Sequence, residues 1–461
     1  MALNPATRRV VVVGGGLSGL AVAWRLALAR PDVSITVLEA AARFGGKLIS
    51  EHRDGFVVEA AADGFLARKP PALAWARELG LGPELIEPRP EHRLSHVLWG
   101  GGLHRLPEGF SGLVPTDPEG LRRSTLLSPQ GIEAAVAEPL APPRLAGTEE
   151  SVAQFLTRRY GRETFERLME PLLAGIFAGD AEALSAEAAF PQLVSVERRG
   201  LSLTHGLAGA PPPEPGPAFR SFASGMARFP AALEAALRSA GVTLTDSAPV
   251  SGLVRAGEGW EVQTSRQSLS ADAIVLVLPP RAAGALVRGV SPSLASVLES
   301  WPVSSVASLT LAFGAGGLDG LPSGSGFVAP RAGGTRFSAA TWSSQKWPQR
   351  APSGGTLVRI YFGGARDPQG WARPEDDLVE DGLRLLAQQT GTLVPKPLWH
   401  RVFRWRDAFA QPNLGHAQRH ADLAAAAVPG LVLAGGYFAG PGIPDCLARA
   451  QAAAAEVGSS L

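Results

Sequence analysis

Cysteine is nearly absent: Cys446 stands alone among 461 residues, which rules out an internal disulfide framework and a cysteine-built metal site. A charge excess is missing as well. Forty-three Lys and Arg against 42 Asp and Glu leave a formal +1, so no global field favours nucleic acid or a strongly anionic surface, and anion binding falls to local groups. The eight histidines are read as scattered, without ligand spacing, and no metal is predicted. No uninterrupted apolar run reaches the roughly 18 residues of a membrane-spanning helix. The lead 1–9 carries no signal-peptide core before the first apolar strand. A cytoplasmic protein is expected, with peripheral attachment to a membrane left open.

Hydrophobic residues at 45% and charged ones at 18% describe an ordinary globular chain. Its length calls for two or three units rather than one small core. The first forty residues read as a βαβ unit. Val10–Val13 is a β-branched run of the kind buried in a parallel sheet, Leu20–Ala29 an Ala-rich helix, and Ser34–Leu38 a second strand. Helical patterns dominate from 151 to 189. The Pro-rich run 208–217 predicts an exposed extended loop. Strands are expected near 242–244, 250–254, 260–264 and 273–278, then at 306–313 and 357–362 in a second sheet. The Gly-rich 314–326 is expected to be a flexible hairpin tip, and 375–389 an amphipathic helix.

Gly14-x-Gly16-x-x-Gly19 lies between that first strand and helix, and Glu39 ends the next strand. In this context the glycines permit a tight turn, approach of a pyrophosphate and close helix–strand packing, while the carboxylate meets ribose hydroxyls. The pyrophosphate faces the positive end of the helix. A second glycine turn follows, Arg43-Phe-Gly45-Gly46-Lys47, where Arg43 or Lys47 could reach a phosphate or a flavin. The tail supplies a matching half, Leu431 to Gly436 and then Gly442-Ile443-Pro-Asp445-Cys446. A strand entering a glycine turn and a helix, here through Gly435, can present amide donors to an isoalloxazine and ribityl chain. Nicotinamide enzymes have no need of this second half, so the cofactor is read as FAD. Val250 joins the cofactor candidates.

With these motifs the sequence resembles the porphyrinogen-oxidising flavoproteins, the protoporphyrinogen and coproporphyrinogen III oxidases of haem synthesis, within an amine-oxidase-like superfamily. The marks run along nearly the whole chain: Gly14 to Leu20, Glu39 to Gly46, Gly55-Phe-Val-Val-Glu59, Gly175-Ile-Phe-Ala-Gly-Asp180 with Leu184-Ser185 and Phe190-Pro191, Phe403-Arg-Trp405, Gln411-Pro-Asn413, and Gly442 to Cys446. The Gly175 stretch is the most discriminating. The resemblance implies an α/β fold: a Rossmann-type FAD-binding domain from separated segments (1–90, 220–290, 405–461), a mixed-sheet substrate domain (91–105, 291–404) and a helical domain (106–219). It also implies six-electron oxidation of a porphyrinogen with oxygen as acceptor, in three two-electron turns, and leaves room for transient contact with ferrochelatase.

Coproporphyrinogen III, with four propionates against two, is favoured over protoporphyrinogen IX because 65–69 and 106–116 look like its oxidases. Arg68 and Lys69 are then anion partners. Ser95 falls where protoporphyrinogen oxidases carry a propionate-binding arginine, with Arg93 two residues away. Gly175 is the candidate for backbone approach of the macrocycle, with Ile176, Phe177 and Trp405 as walls. No Ser-His-Asp set is present; the chemistry belongs to the cofactor. His96 or His104 could shuttle protons, although three ordinary surface histidines explain the cluster better. Two departures stand out: Ala60-Ala61-Ala62 where the family has glycine and proline, and Pro441 in the tail turn. An amine oxidase or desaturase, and a non-catalytic FAD or porphyrin carrier, are the competing readings.

Overall fold

The computed structural model describes residues 7–92, 95–145, 147–208 and 216–461. Arg93, and most of the Pro-rich run (209–215), lie outside the described residues.

The first strand forms over Arg9–Val13 and feeds the helix Leu17–Ala29, which returns to the strand Ser34–Leu38. They anchor a five-stranded sheet in the order 243–245, 34–38, 9–13, 273–276, 431–433. Every neighbouring pair in it is parallel. Burial on both faces explains the β-branched sequence. Val10, Val12, Ile35 and Val37 pack on one face against the helices Leu17–Ala29, Arg228–Ser239 and Ile443–Ser460. Val11, Val13, Ile274 and Leu276 pack on the other against a three-stranded antiparallel meander carrying Trp260 and Val262. Four segments far apart in sequence thus form one sheet.

A second, seven-stranded sheet has the order 399–410, 303–313, 356–363, 337–342, 326–328, 96–99, 102–105. It is antiparallel except where 326–328 meets 96–99. Ala307, Leu309, Leu311, Val358, Ile360 and Phe362 point to one face, under Leu378, Leu385 and Leu386 of the helix Glu375–Thr390. Alternation puts Ser308, Thr310 and Arg359 on the opposite face, all buried. The expected strands at 306–313 and 357–362 do pair. The segment 314–326 is not a hairpin tip between them: it leads to Gly326–Val328, two strands further across the sheet. The partners of 303–313 are 356–363 and 399–410, pairings that local glycine content does not reveal.

A third core is helical and includes Val152, Phe155, Leu156, Tyr160, Leu168, Leu173 and Phe177. The helix Val152–Tyr160 starts at a capping box of Ser151 and Gln154, which satisfies two otherwise orphaned donors. No helix among the described residues is long and apolar enough to cross a membrane.

The histidine reading needs correction. His416 and His420 lie one turn apart on the helix His416–Ala425, with Nε2 atoms 3.0 Å apart. They pack edge-on against the buried Trp301. Burial, and after it the Arg449 and Arg419 charges, push the pKa of His420 down, so cations already face the pair. No third His, Cys, Asp or Glu joins it among the described residues.

Candidate functional site: two glycine turns and the strand that ties them to the rest

The cradle at the N-terminus is set by close approach. A Cβ on Gly19 would sit 1.8 Å from the Gly14 carbonyl oxygen, and one on Gly14, at φ +109°, would lie 2.4 Å from Val277 O. Only glycine fits either place. Gly16 differs: a Cβ there would meet nothing closer than Gly46 Cα at 3.7 Å, so it borders open space in front of the helix. Glu39 accepts from Gly15 N at 2.8 Å and from Ala41 N at 2.9 Å. It therefore pins the turn while each oxygen keeps a lone pair for a further donor. Val250 opens a strand just past Ala248, whose N–H donates to Glu39 O at 2.9 Å.

The second glycine turn stacks on the first. Gly45 N donates to Gly15 O at 2.8 Å, and Gly46, at φ +57°, brings its backbone beside Gly16. Arg43 folds back onto this turn and donates to Gly46 O at 2.5 Å. Lys47 remains accessible to water, yet burial pushes its pKa down against a smaller opposing influence of Cys446. A side chain both wet and desolvated lines an internal recess rather than the outer surface.

The tail closes the same recess. Gly435, at φ +142°, starts the short helix Gly436–Ala439, and Gly442 precedes the helix Ile443–Ser460. Ile443 is buried against the first core. Asp445 lies in the first turn of that helix, and Lys69 Nζ meets its oxygens at 2.7 and 2.8 Å. Lys69 thus joins the N-terminal and C-terminal segments. Arg68 is exposed and makes no hydrogen bond or ion pair among the described residues.

One strand connects these turns to the other two cores. Within Trp399–Ala410 and the residue after it, Trp405 Nε1 donates to Ala60 O at 2.9 Å. Lys47 Nζ donates to Ala408 O at 2.5 Å. Gln411 Nε2 reaches Phe177 O, Ser304 Oγ and Phe409 O, each at 3.0 Å. These anchor points span six residue steps, about 20 Å of extended chain. The fit of Gln411 explains a glycine: a Cβ on Gly179 would lie 2.4 Å from Gln411 Oε1. Ser185 N donates to Pro412 O, and Leu414 N to Ala183 O, both at 2.8 Å. The 175–185 and 411–413 motifs, separate marks in the sequence, are two halves of one clasp.

Gly175 and Ile176 lie on the helix Glu170–Phe177, which ends at Ala178 with φ +49°. A Cβ on Gly175 would meet nothing within 4 Å, and Ile176 is 47% exposed. Phe177 is buried and packs edge-on against Phe190, so it belongs to the helical core. His104 is engaged by Thr125 Oγ1 and Trp99 O, while His96 Nδ1 is buried without a partner.

Sequence reasoning missed a buried charged cluster, Glu59, Asp63, Lys346, Arg350 and Arg359. Arg350 Nη2 lies 3.2 Å from Glu59 Oε1, and Lys346 Nζ 2.9 Å from Asp63 Oδ2. Burial alone would raise the Asp63 pKa, but Lys346, Trp347 Nε1 and Arg359 hold it at about 2. The signal was an arginine on the inward side of Leu357-Val-Arg359-Ile-Tyr-Phe362, an otherwise apolar strand.

The glycine cradle, the free approach to the helix and the accessible, desolvated lysine all suit a dinucleotide. A family model for flavin-containing amine oxidoreductases matches residues 17–458. The chain belongs to that family and is an FAD-dependent oxidoreductase. It is 30% identical to coproporphyrinogen III oxidase of Bacillus subtilis, with 98% of both chains covered. It is also 30% identical to the chloroplastic protoporphyrinogen oxidase 1 of Arabidopsis thaliana, over 98% of this chain and 88% of that one. A crystal structure from Exiguobacterium sp. 255-15, provisionally named a protoporphyrinogen oxidase, superposes with a TM-score of 0.88 at 29% identity, covering 99% of this chain and 100% of the other. Cyclohexylamine oxidase from Brevibacterium oxydans shares the fold at 18% identity, with a TM-score of 0.71.

Proposed function

We propose that this chain oxidises a porphyrinogen to the corresponding porphyrin in haem biosynthesis, with coproporphyrinogen III as the preferred substrate. The observation that carries the reading is the clasped Gly175 helix. An uncrowded glycine beside an exposed isoleucine is held by Gln411 on the strand that also anchors Lys47 and Trp405. Such a surface can admit an apolar macrocycle against backbone, and the full-length similarity to coproporphyrinogen III oxidases supports the choice.

In this reading the flavin-binding unit comprises 1–90, 220–290 and 405–461, the substrate unit 91–105 with 291–404, and the helical unit 106–219. Gly14, Gly16, Gly19 and Glu39 hold the dinucleotide, with Gly45, Gly46, Lys47, Gly435, Gly442 and Ile443 around the ring system. Held there, FAD would supply hydride acceptance from a meso carbon and electron transfer to molecular oxygen. The porphyrinogen loses six hydrogens in three such turns, and three molecules of oxygen leave as peroxide. The chain's own groups bind, orient and shield. Ile176 covers one face of the macrocycle, and Arg68, with no partner among the described residues, takes a propionate at the rim. Lys69 is committed to Asp445 and acts there as a brace. The product passes to ferrochelatase by transient contact, in the cytoplasm.

The test is anaerobic mixing of the FAD-loaded protein with coproporphyrinogen III and, separately, protoporphyrinogen IX. Flavin absorbance is followed first, then porphyrin fluorescence on admitting air. Faster bleaching by coproporphyrinogen III is expected. Faster bleaching by protoporphyrinogen IX would reverse the preference, and no bleaching by either would overturn the activity.

A further inference from the structure

Beneath the polar face of the seven-stranded sheet lies a small cavity of about 10 Å³, lined by Glu59, Asp63, Thr310, Ser343, Trp347, Arg350 and Arg359 among others. That is room for one water-sized guest. Its carboxylates are already engaged. Glu59 accepts from Ser50 Oγ and Met226 N at 2.7 and 2.9 Å, and Asp63 from Lys346 Nζ and Trp347 Nε1 at 2.9 and 3.0 Å. The donors are not. Nε and Nη1 of Arg359, Nε of Arg350 and the Thr310 hydroxyl are buried without a partner. These three residues are 4%, 1% and 1% exposed. Arg359 lies over the face of Tyr361, 4.9 Å from its guanidinium carbon, and its charge also acts on Asp63 and Glu59. Three cations, counting Lys346 behind Asp63, surround two carboxylates.

A buried donor without an acceptor is costly, and a buried cation in excess more so. Water can share its hydrogens with the carboxylates but leaves the extra positive charge in place. A monovalent anion accepts from every free donor and cancels that charge. We propose that this cavity binds one halide-sized anion, chloride, held by Arg359, Arg350 and Thr310. Nothing in the site depends on which substrate the enzyme oxidises.

Two measurements on the FAD-loaded protein decide it. In crystals grown from bromide, an anomalous peak is expected in the cavity. In solution, replacing gluconate, too large for the cavity, by chloride at equal ionic strength should raise the melting temperature by roughly 2 °C for each tenfold of chloride above its dissociation constant. Thr310→Val, which keeps the volume, should weaken this dependence, and Arg359→Met should abolish it. Cavity density without anomalous signal means water and overturns the proposal, as does a chloride effect that survives both substitutions.

Discussion

The glycine cradle and the clasp achieve rigidity in opposite ways. In the cradle, Gly14 and Gly19 crowd backbone against backbone, Gly15 is hemmed in by the Phe44 and Glu39 side chains, and Glu39 locks the turn from the next strand. In the clasp, one buried amide, Gln411, joins the end of the helix Glu170–Phe177 to a strand more than two hundred residues away in sequence. The cradle is local and leaves open space only in front of Gly16. The clasp is long-range, hangs on a few hydrogen bonds, and leaves the surface at Gly175 and Ile176 uncrowded. A cofactor that stays bound suits the first arrangement, and a substrate that enters and leaves suits the second.

The cradle should fail hardest. Gly19→Ala places a methyl group 1.8 Å from Gly14 O, and neither backbone segment can yield without moving the first helix off its strand. The expected cost is about 4 kcal/mol or more, seen as protein purified without the flavin absorbance band. If the variant retains full flavin, close approach is not what shapes the turn.

Acid should then separate the two regions. Burial, then the neighbouring His420 and Arg419 charges, push the pKa of His416 down from 6.5 to about 4. A neutral buried histidine destabilises the folded state relative to an unfolded chain that takes up the proton, so stability falls as the pH drops from 6.5 towards 4 and not above that range. The gap is worth up to about 3 kcal/mol before solvent screening. Trp301, which the pair abuts, precedes Pro302, whose carbonyl accepts from Gln411 N at 2.8 Å. Hydrogen exchange at pH 5 should therefore speed up around 302–304 and 411–420 before it does at 10–20. His416→Gln should flatten the dependence; equal acceleration in both regions would mean that the histidines do not act on the clasp.

How much of this the sequence disclosed follows the same division. The βαβ unit, both glycine turns, Glu39 and the tail were legible because each is a local pattern whose spacing has a steric reason. The marks at 175–185 and 411–413 were visible as motifs but not as partners, since nothing in a linear pattern says that Gln411 donates to Phe177 O. Arg359 carried a readable signal, a charge on the inward side of an apolar strand, but its companions Glu59, Asp63 and Arg350 come from three other segments. His416 and His420 had helical spacing that was passed over. The segment 314–326 was misplaced because glycine content marks a turn without saying which strands the turn joins.

Gln411→Leu tests the clasp itself. It removes donors to Phe177 O, Ser304 Oγ and Phe409 O, leaving buried acceptors unpaired at about 2 kcal/mol. Flavin content should stay normal while KM for the porphyrinogen rises, and Gln411→Asn should recover part of the loss. A variant that loses flavin as readily as substrate affinity would show that cradle and clasp are one cooperative unit.

The smallest effect on stability belongs to a residue of the proposed substrate surface. Ile176, at 47% exposure, gives the fold little, so Ile176→Ala should change the melting free energy by no more than about 0.5 kcal/mol. Against a macrocycle the same side chain covers apolar surface, and its truncation should weaken substrate binding by roughly 1–2 kcal/mol, about tenfold in KM. A stability loss that matched the change in KM would make Ile176 a core residue like Phe177. A split between the two measurements would assign it to the substrate surface, with the clasp holding open what the cradle cannot.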